Sequence, residues 1–358
     1  MSRTWFDIAN EVIHIAKTSV NTEEIANKCS KLLGRTVSYD AVSSAMRRLR
    51  RDHGLYLPFI LDVLGQDLDN EDDVDVKLPP AKKGPDTLPR IVSLDSVPKR
   101  LAFIPDIHFP YQDREALDAV VACLRDYKPN CIVLAGDVLD CSCLSRHETP
   151  IAKLRDIKYH LREEISQAKP FLEEILSISN NNVIWLEGNH EYRRQEIIKT
   201  HPGLLDLPAL TAENLFEIPK GIRFLPRGQR LRVGNMFFEH GDQIINSRGS
   251  KHIANTLLTR RPYLNTFVGH WHCIDSKSST VYLPETDEPE LFMCASVGHL
   301  STVRDHAHYA KLPNWTHGFA TFDTWQQNNK TRFNFNQIRI FDAEFIFNGK
   351  LYSGQKLQ

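Results

Sequence analysis

The stretch Leu101-Ala-Phe-Ile-Pro-Asp-Ile-His108 is an apolar run that ends in a carboxylate and an imidazole. A short apolar run bounded by polar residues predicts a buried β-strand. Polar residues at the carboxyl end of a strand in an α/β sheet lie where such folds bind their ligands. Asp106 and His108 are therefore predicted to line a functional site.

Four later apolar runs end in the same way. They are followed at once by Gly136-Asp137-Val138-Leu139-Asp140, Gly188-Asn189-His190-Glu191, His240-Gly241-Asp242 and Gly269-His270-Trp271-His272. A single Gly-Asp or His is common in turns and cores and predicts no function by itself. Five such endings in one chain do predict a site, because charged and imidazole groups are costly to gather unless a metal or a partner compensates them.

The order of the five motifs resembles the signature of the calcineurin-like metallophosphoesterases. The motifs are Asp-x-His, Gly-Asp-x-x-Asp, Gly-Asn-His-Glu, His and Gly-His-x-His. The resemblance covers the chain from Arg100 to Asp323. It implies an α/β (α+β) fold in which two facing sheets are flanked by helices, as a four-layer sandwich. It also implies a metal-dependent enzyme that hydrolyses phosphate esters.

The resemblance assigns the metal ligands position by position. The first divalent cation would bind Asp106, His108, Asp137 and His272, and the second would bind Asp137, Asn189, His240 and His270. Oxygen ligands mixed with imidazoles favour Mn, with Fe and Zn as the alternatives. Two cations about 4 Å apart lower the pKa of a water molecule that bridges them and clamp a phosphoryl group.

Three further residues are expected to take part in catalysis. His190 directly follows a predicted ligand, at a position that serves in the family as general acid or phosphate contact. Asp140 is expected to orient His190 and to favour its protonated form. Of two adjacent arginines, Arg193 matches the family position and is expected to grip a phosphate, whereas Arg194 would face away.

The second motif narrows the substrate class. Phosphoprotein phosphatases that resemble calcineurin carry Gly-Asp-x-Val-Asp-Arg-Gly, whereas this chain has Gly136-Asp-Val-Leu-Asp140-Cys-Ser. The missing Arg-Gly argues against a typical protein phosphatase. Nucleases, nucleotide or cyclic-nucleotide phosphodiesterases and small phosphomonoesterases stay open.

Residues 1–56 are predicted to form a small all-α domain that resembles a helix-turn-helix. One helix is predicted from Asn21 or Thr22 to Leu33, with Gly34 as its stop. A further helix opens at Ser38 and carries four arginines, which are Arg47, Arg48, Arg50 and Arg51. These arginines are the predicted contact to nucleic acid, because they can neutralise phosphates. A contact to a protein or a second copy, and a merely solvated bundle, are the alternatives.

Residues 57–99 are predicted to be a flexible linker, because the segment is acidic and rich in proline. Residues 100–358 are predicted to be the catalytic domain. The 358-residue chain has a net charge of −1, so nucleic-acid binding has to come from local basic patches. With no signal-like start, no run of the ~18 apolar residues that span a membrane and irregularly spaced cysteines, a cytoplasmic location is expected.

These features predict a phosphodiesterase or nuclease that acts on nucleic acid, tethered to it by the N-terminal domain. The alternative is a hydrolase of small phosphate esters or nucleotides whose N-terminal domain serves dimerisation or partner binding. A basic groove near Lys251, Arg260 and Arg261 would favour a polymer, and a closed pocket under residues 201–221 would favour a small ester. The pairing of a small helical module with a phosphoesterase also resembles proteins that bacteriophages encode.

Overall fold

A computed structural model describes eight stretches of the chain, which are residues 22–38, 41–42, 91–145, 160–244, 252–283, 287–302, 314–328 and 330–354. The chain divides into two units, residues 1–83 and 84–358. The arginines at positions 47, 48, 50 and 51 lie outside the described residues. Among the described helices, none combines the length and the apolar character needed to cross a membrane.

In the first unit, helix α1 spans Thr22–Leu33. Its apolar side recurs every fourth residue from Ile25 to Leu33 and is buried against Val42. Gly34 follows the helix with φ +65°, the left-handed conformation that commonly ends helices. The helix and its stop therefore agree with the sequence prediction, while the helix-turn-helix identity of the whole unit stays a prediction.

The second unit alternates strands and helices. Its described helices are α2 (Arg114–Tyr127), α3 (Leu161–Ile178), α4 (Arg193–Thr200), α5 (Ala212–Leu215) and α6 (Ile253–Arg260). Its described strands are β1 (Ile91–Ser93), β2 (Arg100–Ile104), β3 (Cys131–Leu134), β4 (Val183–Leu186), β5 (Ile222–Leu225), β6 (Arg230–Val233), β7 (Met236–Glu239), β8 (Asn265–Val268), β9 (Ile274–Tyr282), β10 (Pro289–Val297), β11 (Gly318–Gln327), β12 (Lys330–Arg339), β13 (Glu344–Phe347) and β14 (Lys350–Ser353).

Most of these strands form two six-stranded sheets. The first sheet has the order β12-β11-β2-β3-β4-β5, in which β2 to β5 run parallel and β11 and β12 are antiparallel additions. The second sheet has the order β1-β6-β7-β8-β10-β9, in which β7, β8 and β10 run parallel. β13 and β14 pair as a separate hairpin.

Three apolar cores stack these elements into four layers. One core lies between the first sheet and helices α2 and α3, a second lies between the two sheets, and a third lies between the second sheet and α6. β3 and β4 are buried along their whole length, because both faces of the first sheet are covered. The predicted four-layer sandwich flanked by helices is thus confirmed.

Strand β1 lies inside the segment predicted as linker, residues 57–99. It pairs in parallel with β6, with Val92 opposite Leu231, and Val92 is buried. A strand of three residues is too short to show the alternation that identifies strands in a sequence. Folded structure therefore begins before Arg100, the predicted start of the catalytic domain.

The core between the sheets should be sensitive to the loss of one ring. Phe322 of β11 contacts the rings of Phe238, Phe267 and Phe335 at centroid distances of 5.2, 4.6 and 5.2 Å. Phe322→Ala is expected to lower the free energy of unfolding by about 3–5 kcal/mol, because it leaves a cavity in a packed core. Phe341→Ala is the control, since that ring is 65% exposed. Urea unfolding compares the two, and equal losses would contradict the assignment of this core.

Candidate metal centre

The predicted site residues lie at the carboxyl ends of strands from both sheets. In the first sheet, Asp106 and His108 follow β2, Asp137 and Asp140 follow β3, and Asn189 and His190 follow β4. In the second sheet, His240 follows β7, and His270 and His272 follow β8. These strands are neighbours within each sheet, so the site lies where the strand ends of the two sheets meet.

The backbone at these strand ends is strained. Five of the seven predicted ligands have positive φ, namely Asp106 (43°), His108 (54°), Asp137 (49°), His270 (65°) and His272 (54°). The left-handed conformation costs a residue with a side chain about 1–2 kcal/mol. Such strain collects at functional sites, where the surrounding structure holds it. Here it accompanies the turns that place ligands from different strands in one site.

Two glycines let the loops approach each other. Gly136 has φ +96°, and a Cβ at this position would lie 2.7 Å from Nδ1 of His240 and 2.8 Å from Cα of Gly188. A Cβ on Gly188 would collide with the carboxylate of Asp137. A side chain at either position would therefore displace a predicted ligand.

The carboxylate of Asp137 is the centre of the site. Its Oδ2 lies 3.2 Å from Nε2 of His240 and 3.9 Å from Nε2 of both His108 and His190. Its Oδ1 accepts the backbone N–H of His190 at 2.9 Å. Burial by itself raises the pKa of Asp137, but the surrounding imidazoles hold that pKa well below its ordinary value. Asp137 is therefore an ionised acceptor between several imidazoles.

Asp106, His108 and His272 form one buried group, whose ligand atoms lie within 4.8 Å of one another. Nε2 of His108 and Nε2 of His272 are only 3.1 Å apart, and Oδ1 of Asp106 is 3.3 Å from Nε2 of His272. Nδ1 of His108 contacts Oδ1 of Asp140 at 3.1 Å, a pairing that directs the other ring nitrogen to a metal. Two imidazole nitrogens this close require a proton or a cation between them.

Asp137, His240 and His270 form a second group within the same limit. Oδ1 of Asn189 lies 2.9 Å from Nε2 of His240. Nδ1 of His240 donates to the carbonyl of Ala135 at 2.9 Å, so Nε2 faces the group. Because Asp137 also lies beside His108, the carboxylate, amide and imidazole donors fit a pair of divalent cations that share one ligand.

The charges of the second group also favour cations. Burial by itself lowers the pKa of His240, but the Asp137 carboxylate raises it to about 10. Burial and the neighbouring His240 lower the pKa of His270 to about 4, so His270 is a neutral ligand near pH 7. The site thus attracts positive charge, which divalent cations supply, and their binding would release a proton from His240.

His190 lies beside the ligands and has its own partners. Its Nδ1 donates to the carbonyl oxygen of Asp140 at 2.7 Å, and Oδ1 of Asp140 is 3.1 Å away. The guanidinium of Arg193 donates to Nε2 of His190 at 3.2 Å and to the carbonyl of Asp140 at 2.7 Å. Because a guanidinium only donates, this contact needs a neutral imidazole with its proton on Nδ1.

The charge state of His190 is set by opposing effects. Burial lowers its pKa, but the carboxylates of Asp137 and Asp140 raise it to about 8. The Arg193 guanidinium acts in the opposite direction and favours the neutral ring. Protonation of His190 would therefore break the Arg193 contact. His190 also lies within ligand distance of His108 and Asp137, so the structure places it closer to the metal ligands than the sequence suggested.

The two adjacent arginines have different partners. Arg193 faces His190, whereas Arg194 is buried and pairs with Glu187 at 3.1 Å. Arg194 also donates to the carbonyl of Leu210 at 2.9 Å, which ties α4 to the segment that follows it.

Glu191 has a role that the sequence did not assign. Its Oε1 accepts the backbone N–H groups of Val138 and Leu139 at 2.7 and 3.0 Å, and its Oε2 accepts those of Asp137 and Gly188, both at 3.0 Å. Its side chain is fully buried. One carboxylate therefore holds the loops after β3 and β4 together. Its place beside His190 in the third motif was the only signal for this role.

The features expected to distinguish the two substrate classes do not do so. The guanidinium of Arg260 donates to the carbonyl of Ile244, and Arg261 pairs with Glu239. Both guanidinium groups are therefore hydrogen-bonded within the chain, and Lys251 lies outside the described residues. Within residues 201–221, Pro202–Leu204 and Pro208–Leu210 are short 3₁₀ turns with mostly exposed side chains.

Known proteins resemble this chain at the level of sequence. A sequence model described as "Calcineurin-like phosphoesterase" matches residues 99–334. A "Gene 54 protein" of Mycobacterium phage L5 is 24% identical over 262 residues, which cover 71% of this chain and 98% of the phage protein. A "Gene 54 protein" of Mycobacterium phage D29 is 25% identical over 229 residues, which cover 62% and 87%. These relatives accord with the predicted resemblance to phage-encoded proteins, and their names state no activity.

Two solved structures of Vps29 were also found to be similar. The D62A mutant from Entamoeba histolytica has 11% identity and a TM-score of 0.34, and the alignment covers 71% of this chain and 96% of that protein. Vacuolar protein sorting 29 from Cryptosporidium parvum has 14% identity and a TM-score of 0.31, with coverage of 67% and 98%.

Glu191→Gln tests how the two loops are held. The amide keeps the volume of the side chain but turns an NH₂ group towards backbone N–H donors. Two of the four donors then lose their acceptor, at about 1–3 kcal/mol each. We expect the free energy of unfolding to fall by about 2–6 kcal/mol and divalent metal binding to weaken.

Thermal unfolding and metal content after dialysis measure both effects. Glu213→Gln makes the same change at an exposed position and should leave both unchanged. Wild-type stability and metal content in Glu191→Gln would show that the loops keep their positions without the carboxylate.

Proposed function

The chain belongs to the calcineurin-like phosphoesterase family, and we propose that it hydrolyses phosphodiester bonds in nucleic acid. Family membership, together with the His and Asp groups, makes it a metal-dependent phosphoester hydrolase. The observation that carries this conclusion is the Asp137 carboxylate, which lies between the imidazoles of two ligand groups. Nucleic acid as the substrate and Mn as the metal are proposals.

The donor set supports the proposed assignment of ligands. Asp106, His108, Asp137 and His272 would hold one ion, and Asp137, Asn189, His240 and His270 would hold the other. Bound there, the two ions would polarise the phosphoryl oxygens and lower the pKa of a water molecule. Mn is proposed because carboxylate, amide and imidazole donors are combined and no thiolate belongs to the described groups.

His190 is proposed to protonate the leaving oxygen from Nε2. Asp140 holds the other ring nitrogen, Nδ1, through its carbonyl and its carboxylate, which fixes the orientation of the ring. Arg193 contacts Nε2, so this contact has to break before the ring can deliver a proton there. A phosphoryl oxygen of the substrate that accepts from Arg193 would break it. Nε2 would then take up a proton from solvent, since the pKa of His190 is about 8, and pass that proton to the leaving oxygen.

The leaving group decides how much His190 matters. His190→Ala is expected to keep both metal ions, because none of the seven predicted ligands is changed. For a diester with an alkyl leaving group, kcat should fall about 100- to 10,000-fold, the usual contribution of general acid–base catalysis. For bis-p-nitrophenyl phosphate the loss should be much smaller, because p-nitrophenolate leaves without protonation.

Metal content and kcat on both diesters measure these effects. His201→Ala removes an exposed imidazole and should change neither. Equal losses on the two leaving groups would remove the acid role from His190.

The proposal of a nucleic-acid substrate rests on the N-terminal arginines. The net charge of −1 provides no general attraction to a polyanion. Arg47, Arg48, Arg50 and Arg51 concentrate positive charge in five consecutive positions, which is what binding to a phosphate backbone requires. Through the segment that follows, they would raise the local concentration of substrate at the site.

The deciding assay compares the wild-type protein with a variant that carries alanine at Arg47, Arg48, Arg50 and Arg51. Both are tested with Mn on labelled single- and double-stranded DNA, on RNA and on bis-p-nitrophenyl phosphate. The variant should cleave nucleic acid about tenfold or more slowly at 0.15 M salt, because phosphate contacts dominate such binding. Its activity on the small diester should stay the same.

A charge-matched control replaces four exposed basic residues of the second unit with alanine: Arg162, Lys169, Lys220 and Arg223. This control should cleave nucleic acid at the wild-type rate. Wild-type activity on small esters without cleavage of any nucleic acid would reject the proposal and favour the small-ester hydrolase.

A further inference from the structure

A buried glutamate from outside the five motifs contacts the turn that follows β3. Glu164 lies in the first turn of α3 and its side chain is 0% exposed. Its Oε2 accepts the backbone N–H of Cys141 at 2.6 Å. Glutamate is rarely buried completely, since removing a carboxyl group from water is unfavourable unless partners compensate it.

The turn that Glu164 contacts carries Asp140. Oδ1 of Asp140 lies 3.1 Å from Nδ1 of both His108 and His190, and Oδ2 accepts from the hydroxyl of Ser142. The carbonyl of Asp140 accepts from His190 and from Arg193, both at 2.7 Å. The position of this turn therefore determines the orientation of the His108 and His190 rings and of the Arg193 guanidinium.

The backbone of the turn is in an unfavourable conformation. Cys141 has φ +48°, a left-handed conformation that residues with a side chain adopt only when their surroundings hold them. Glu191 accepts the N–H groups at the start of the loop, and Phe109 accepts that of Asp140 at 2.9 Å. Glu164 accepts the N–H of the next residue, Cys141, which is the one in the left-handed conformation.

The hydrogen bond from Cys141 to Glu164 depends on the length of the Glu164 side chain more than on its charge. Burial and the nearby Asp140 carboxylate raise the pKa of Glu164 to about 8, against the backbone N–H groups of Cys141 and Ser142, which lower it. Among the described residues, Oε1 of Glu164 has no hydrogen-bond partner, so Oε2 alone makes the connection. A neutral side chain of the same length would preserve it.

We propose that Glu164 is a positioning residue for the phosphoesterase reaction, which holds the N–H of Cys141 so that Asp140 orients His190 and Arg193. Glu164 acts through the turn, and among the described residues no hydrogen bond joins it to a predicted metal ligand. The proposal concerns the hydrolytic site itself, so it can be tested whether or not nucleic acid is the substrate.

Two substitutions separate reach from charge. Glu164→Gln keeps the length of the side chain, and its amide oxygen can accept from Cys141, so kcat should stay within about threefold of wild type. Glu164→Asp keeps the carboxylate but is one methylene shorter. It should lower kcat about tenfold or more at unchanged KM, because a misplacement of about 1 Å can cost roughly 100-fold.

The assay uses the full chain with Mn and the two diesters that test His190. Because Glu164 acts through the orientation of His190, the loss in Glu164→Asp should be larger for the alkyl leaving group than for p-nitrophenolate. The ¹⁵N shifts of the His190 ring give a second readout without turnover. Recorded on the metal-free protein above the pKa of the ring, they should show the Nδ1–H tautomer in wild type and in Glu164→Gln, and a mixture in Glu164→Asp.

Two controls exclude a general effect on α3. Glu173→Asp makes the same change at an exposed position of that helix and should leave kcat unchanged. Leu172→Ala removes a buried contact of the same helix, so it should lower stability without changing kcat well below its unfolding midpoint. All variants are assayed at a temperature where each is fully folded.

Several outcomes would overturn the proposal. Activity retained in Glu164→Asp and lost in Glu164→Gln would show that charge, not reach, matters. Wild-type kcat in both variants, or equal losses on the two leaving groups, would remove the connection to His190. Failure of both variants to fold would assign Glu164 to the stability of α3 alone.

Discussion

The burial of the Asp137 carboxylate among imidazoles from both sheets is the constraint on which the site depends. A charge in that position is unfavourable unless other groups compensate it. His240 supplies part of the compensation, as the rise of its pKa to about 10 shows. To bring these groups together, the strand ends must turn inward and approach within contact distance. This requires left-handed backbone conformations at several ligands and a glycine at position 188.

Two further carboxylates stabilise the loop that carries Asp137 and Asp140. Glu191 accepts backbone donors at the start of the loop, and Glu164 accepts one near its end. Neither side chain is a predicted ligand. They show how acidic residues can order a loop by hydrogen bonding to its N–H groups, while the ligands on the same loop stay directed at the metal site.

Much of the site could be predicted from the sequence, because its residues follow apolar runs directly. Asp106 and His270, for example, are adjacent to strands whose composition identifies them. Glu164 could not be found in this way, since a glutamate in the first turn of a helix is ordinarily a solvated partner of the helix dipole. The hydrogen bonds of Arg260 and Arg261 within the chain could not be predicted either, because a count of charges does not show which carbonyl or carboxylate lies opposite each arginine. β1 was missed because three residues carry no periodicity.

The donors come from two sheets, and this has a consequence for the molecule as a whole. Ions bound between Asp106, Asp137 and His240 would cross-link the two halves of the sandwich. A ligand that binds only the folded state adds about 2.7 kcal/mol of stability when its concentration is 100 times its Kd. The concentration of free divalent metal would then determine the stability of the fold as well as the activity of the site. Scarcity of the ion would shorten the lifetime of the protein.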